Sequence, residues 1–156
     1  MMHTGKVVTA RSLHQAKLLQ ASMSSLFDTL SKLGEQPLRE ISDTTLHTDM
    51  QTKNEILRNT PDESILNMQK NGAKKIATTV KLLENLSCVL HFVKPSLIGA
   101  TSLRMVELTM TNGLVPSSPI AFGYYGEVQV ALGNISEGCR FGMYLSHVLT
   151  VLQCMI

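Results

Sequence analysis

The chain is expected to fold as an all-α domain of antiparallel helix-hairpin repeats stacked as a short solenoid. Three observations predict this. Apolar residues recur at steps of three and four along most segments, the spacing of one helix face. Helix stops and starts punctuate the chain between those segments, at Gly34 and Pro37, at Pro61, at Pro95, at Asn112 and Gly113, and at Gly133. Two successive helix pairs, 73–113 and 117–155, each take about 40 residues, within the range of helical repeats.

The first helix is predicted over about residues 10–33. Leu13, Ala16, Leu19, Met23, Leu26 or Phe27, and Leu30 form one apolar face, and Gly34 and Pro37 end it. Residues 38–41 read as a linker. A weaker helix follows from Asp43 or Thr44 to Arg58, with Leu46, Met50, Asn54 or Ile56, and Leu57 loosely periodic, and Thr44, Thr45 and Thr48 lowering its propensity. Thr60, Pro61 and Glu63 read as an N-cap, a first-turn proline and the return arm of a capping box, opening a short helix that carries Ile65, Leu66 and Met68 toward Asn71 and Gly72.

The cleanest period lies in the helix at about 73–92, where Ile76, Val80, Leu83, Leu86, Leu90 and Val93 mark a core face. The opposite line holds Lys74, Thr78, Lys81, Asn85 and Cys88. Pro95 suits the first position of the next helix, about 95–111, which carries Leu97, Ala100, Leu103, Val106 and Met110. Ser117, Ser118 and Pro119 open the second hairpin, whose first helix runs to Gly133. Asn134 and Glu137 read as cap and capping box of its second helix, with Ile135, Gly138 or Cys139, Gly142, Leu145, Leu149 and Leu152 as the inward face. Gly138 and Gly142, four apart, suggest a close helix approach.

The chain thus divides as one domain, 1–156: a leading helix at 1–34, a linker with weaker helices at 35–72, and the two hairpins. Its 156 residues suffice for a core without staples. Charged residues make up 17%, against the usual roughly 25%, so some apolar faces expect a protein partner. A net charge of +2 gives no footprint for nucleic acid. No membrane span is expected, because the greasiest stretch, 143–156, is broken by Ser146, His147, Thr150 and Gln153.

Cys88, Cys139 and Cys154 are widely spaced and odd in number, and read as small buried hydrophobes of a reducing, cytoplasmic compartment. Lys6, Arg11 and Lys17 precede the first acid, Asp28, which leaves an organellar transit peptide open beside the folded helix.

No catalytic set emerges. His47 with Asp43 and His91 with Cys88 each lack the third member a metal site needs. Adjacent Ser146 and His147 point about 100° apart on a helix and cannot act as nucleophile and base together. Phosphate-cradling glycine motifs are absent, so neither cofactor, metal nor enzymatic activity is expected. Lys81, Glu84 and Glu127 stand as candidate partner-facing residues, although a plain solvated helix face accounts for the same charges.

The last hairpin can be laid on the tetratricopeptide pattern, with Phe122 at the first large position, Tyr125 and Gly126 at the close-packing position, Gly133 at the turn and Gly138 as the small residue of the second helix. LGEQP at 33–37, ILNM at 65–68, RMVELTMTNG at 104–113, SSPIAFGYYG at 117–126 and GCRFG at 138–142 together resemble the tetratricopeptide-like helical-repeat region of large multidomain signalling proteins. Those proteins combine a serine/threonine-kinase-like domain, an AAA-type ATPase module and often a sensor histidine kinase segment. The resemblance implies architecture only, since their catalytic motifs lie in other domains and no functional residue carries over. It implies a non-catalytic interaction or signal-relay module whose partner is another protein or a neighbouring domain. The alternative is an inactive piece of a multidomain kinase or ATPase, which the apolar end at Met155 and Ile156, without a polar capping repeat, also suggests.

Overall fold

The computed structural model describes residues 3–38 and 43–153. Among them every regular element is helical: α1 (His3–Lys32), α2 (Asp43–Asn59), α3 (Asp62–Leu66), α4 (Lys74–Val93), a 3-10 turn (Pro95–Leu97), α5 (Ile98–Asn112), α6 (Ser118–Ala131) and α7 (Ile135–Gln153). The readings placed on Leu46, on the Asp43–His47 pair, on 39–41 and on Cys154, Met155 and Ile156 fall outside the described side chains.

Packing follows the order α1, α4, α5, α6, α7, each against the next, while α2 returns over α5 and α3 meets α7. The central element is α5. Besides the expected Ala100, Leu103 and Val106, with Leu97 buried in the turn before it, α5 buries Thr101, Ser102, Met105, Leu108 and Thr109, so it is enclosed on nearly all sides. Its hydroxyls survive burial by local bonding. Thr101 donates to the Leu97 carbonyl at 2.8 Å and Ser102 to that of Gly99 at 2.9 Å, so no polar group is stranded.

The α4 face is as its period predicts, with Val80, Leu83, Leu86 and Leu90 buried and Ile76 and Val93 half-buried. By length and composition α4 also qualifies to cross a membrane, the one such helix among the described residues, and a third of the qualifying window is buried here. The α1 face is half realised. Met23 and Leu30 are buried against α4, but the helix starts at His3 and its earlier face runs past the body, leaving Leu13 58% exposed.

The predicted inward face of α7 is corrected in part. Gly138 is buried and Leu145 and Leu152 are half-buried against the core as expected, but Ile135, Cys139, Gly142 and Leu149 are exposed, and Phe141, Tyr144 and Val148 point inward. The aromatics decide this rotation: Phe141 and Tyr144 join Phe122 and Tyr125 of α6 in a cluster with ring centroids 4.6 to 6.1 Å apart. The close glycine approach runs between Gly138 and Gly126 across the hairpin, whereas a methyl group on Gly142 would meet nothing within 4 Å.

Two caps also differ from expectation. Thr60 ends α2 rather than opening α3, its hydroxyl donating to the Ile56 carbonyl, and Pro61 takes the N-cap position. At α7 the Asn134 carbonyl accepts the first helical bond from Gly138, but the Asn134 amide donates to Gln129 and the Glu137 carboxylate turns to Arg58. The helix stops at Gly34, Gly113 and Gly133 are as predicted, each with positive φ.

A clasp unforeseen in the sequence joins the entry of α4 to the exit of α5. Leu114 N–H donates to the Gln69 carbonyl at 2.9 Å and Asn71 N–H to the Leu114 carbonyl at 2.7 Å. The Asn71 amide adds a bond to the Asn112 carbonyl, and its Oδ1 accepts from Ala73 N–H at the start of α4.

Candidate functional site

Helices α4 and α6 lie side by side, and their outward edges bring the sequence-predicted partner-facing residues onto one strip. Lys81, Glu84, Cys88 and His91 follow one another at helical spacing on α4, and Tyr124 and Glu127 answer from α6. Tyr124 is the centre. Its hydroxyl meets the Cys88 thiol at 3.5 Å, and its ring stands 5.6 Å from that of His91. Burial first, then the Cys88 bond and the charges of Glu127 and Glu84, hold the phenol well above its ordinary range.

The three predicted charges differ in how free they are. Lys81 and Glu84 bond each other at 2.8 Å, and Glu84 also accepts the Ser117 hydroxyl from the start of α6, so the Glu84 side chain is only 18% exposed. It ties α4 to α6. Glu127 remains 65% exposed, with its carboxylate 3.9 Å from His91 Nε2. His91 Nδ1 must donate to the Ser87 carbonyl at 2.9 Å, because a carbonyl only accepts. Nε2 therefore faces Glu127, and an ion pair forms there only when the ring is protonated.

Two shallow depressions flank the Cys88–Tyr124 contact. One, of about 320 Å³, has Pro95, Ile98, Val128 and Leu132 on its walls and His91 and Glu127 at its rim. The other, of about 340 Å³, lies beside Lys81 between Ala77, Leu82 and Pro116. Phe92, next to His91, is 79% exposed, and Ile120 is also exposed. The arrangement offers apolar recesses edged by opposite charges.

Cys88 and Cys139 are exposed, which corrects their reading as buried hydrophobes. For Cys88 the signal was present, since it belongs to the polar line of α4 that the period points outward. Tyr124 escaped notice and His91 was paired only with Cys88 of its own helix, because their contacts run between α4 and α6 and no spacing along one helix reveals that. Among the described residues no three His, Cys, Asp or Glu side chains converge to hold a metal. No protein-family model matches the chain, and no curated protein or solved structure matches it either.

Proposed function

We propose that the chain is a non-catalytic protein-interaction or signal-relay module and that the α4/α6 strip receives its partner. The observation that carries this reading is the juxtaposition of a largely exposed acid, Glu127, with an apolar recess and an exposed Phe92 on a strip built from two helices. Such a surface suits a protein segment that offers an apolar side chain to the recess and a basic group to Glu127, with charge setting orientation and burial supplying affinity. A tetratricopeptide-like stacking of α4–α5 on α6–α7 fits the proposal, because the first helix of each pair then lines a common face. On the multidomain resemblance, the partner is either a separate protein or a kinase or ATPase domain of a longer chain.

The test is site-specific photocrosslinking in cells of the source organism, with the crosslinker at Ile120 on the strip and, as control, at Ser146 on the outer side of α7. A discrete product from position 120 alone, lost when Glu127→Lys is added, is the expected result. Equal products from both positions would remove the assignment.

A further inference from the structure

Helix α2 is held unlike the others. It presents one stripe to the body, Met50, Asn54 and Leu57, at steps of four and three, and these are its buried side chains among those described. The stripe lies in the groove along α5, where Asn54 reaches Tyr125 and Gln129 of α6. Asn54 Oδ1 accepts from the Tyr125 hydroxyl at 2.7 Å and from the Gln129 amide at 3.1 Å, and the Asn54 amide donates back to Gln129 at 3.0 Å. At the end of α2, Arg140 of α7 donates to the Leu57 and Thr60 carbonyls, so the groove reads a helix C-terminus whatever its side chains. Three spaced anchors in a groove and a captured terminus are the mode by which amphipathic helices bind proteins.

The fit of α2 is incomplete at one point. Glu137 of α7 is buried and faces Arg58 of α2, which reaches only Oε1, at 3.2 Å. Oε2 has no hydrogen-bond partner and lies 3.7 Å from Arg140. A buried carboxylate oxygen left in this state is costly, so a helix whose basic residue engages both oxygens binds the groove better than α2 does.

We infer that the α5/α6/α7 groove is a helix-binding site, that α2 is its displaceable resident, and that its ligand is a helix of another protein. That helix carries an apolar residue, an asparagine four residues on and a leucine three further, and ends in a basic residue that pairs with Glu137 through both oxygens. This site lies apart from the α4/α6 strip, and neither proposal depends on the other.

The experiment uses the full chain and a fluorescent peptide of residues 43–66. In the full-length Leu57→Asp variant the resident helix is evicted. That variant should bind the wild-type peptide at least tenfold more tightly than the wild-type chain does, and Asn54→Ala in the peptide or Arg140→Ala in the variant should cancel the gain. A helical Leu57→Asp chain with no gain in binding would overturn the proposal. Hydrogen exchange on the wild-type chain gives the answer should that variant not fold: α2 amides exchanging at least tenfold faster than those of α5 are expected, and equal rates would show that α2 leaves only when everything unfolds. Dimerisation by exchange of α2 between two copies would overturn the assignment to another protein.

Discussion

Gly126 of α6 and Gly138 of α7 face each other so closely that a methyl group on either would touch the carbonyl oxygen of the other, at 3.0 and 2.9 Å respectively. The methyl on Gly138 would also lie 2.3 Å from Val130 Cγ2. The hairpin is therefore built around backbone contact, and the aromatic cluster of Phe122, Tyr125, Phe141 and Tyr144 closes beside it.

Gly138→Ala is expected to destabilise the domain by about 1–3 kcal/mol, since overpacking outweighs the roughly 1 kcal/mol that alanine gains in helix propensity. Gly142→Ala, four residues on and with open space around it, should instead stabilise by several tenths of a kcal/mol to about 1. Urea unfolding of the two variants checks both signs. A destabilised Gly142→Ala would mean that the outer face of α7 is covered.

The buried amide pair between α2 and α6 gives a second expectation. Asn54→Ala leaves the Tyr125 hydroxyl and the Gln129 amide without their partner, at about 1–3 kcal/mol for each stranded group. Tyr125→Phe alone removes one bond and should cost about 1 kcal/mol. Because the two share one network, the double variant should lose less than the sum, and strict additivity in a double-mutant cycle would show that they do not act together.

How much of this was legible beforehand depends on whether a residue answers to its own helix or to another. The α4 stripe and the stops at Gly34, Gly113 and Gly133 are local matters, set by periodicity and by backbone conformations that only glycine adopts readily, and the sequence shows them directly. The face of α7 was misread because counting apolar residues gave Ile135 and Leu149 the same weight as Phe141 and Tyr144, although the larger rings find partners on α6. The capping box at Glu137 has the right spacing, but Arg58 competes for its carboxylate from 79 residues away. Of the candidate strip, exposure of Lys81 was readable from α4 alone. So was its i,i+3 pairing with Glu84, whereas the tie from Glu84 to Ser117 needed the relative placement of α4 and α6.

Gly113 combines two demands on one residue. Its φ of +100° lies where side chains are strained, and a methyl group there would stand 2.6 Å from the Gln69 carbonyl oxygen, the acceptor of the clasp bond from Leu114. Gly113→Ala should therefore cost about 3 kcal/mol or more, as strain of about 1–3 kcal/mol adds to loss of the clasp. Gly34→Ala shares the positive φ but meets no atom within 4 Å, and should lose only about 1 kcal/mol. Thermal or urea unfolding that ranks the two equally would show that the clasp contributes nothing.

Asp62 and Tyr144 set a pH dependence of opposite sign at the two ends of the scale. The Tyr144 hydroxyl and the Arg140 guanidinium both donate to Asp62 Oδ1, and these bonds hold the carboxyl below its ordinary 3.8. A depressed carboxyl stabilises the fold above that value, and the contribution fades as the pH falls through the folded-state titration. Burial, reinforced by the bond to Asp62, pushes Tyr144 from 10.0 up to about 12. A raised phenol stabilises the fold below pH 10.0, and that contribution is lost as the pH climbs toward about 12. Tyr144→Phe removes the hydrogen bond that does most to hold the Asp62 carboxyl down, together with the phenol itself. Stability measured by urea unfolding across the pH range should then fall less steeply below pH 3.8 and also above pH 10.0, where Tyr124 and Tyr125, raised as well, keep part of the alkaline slope. An acid limb identical to that of the wild type would show that Arg140 alone holds Asp62.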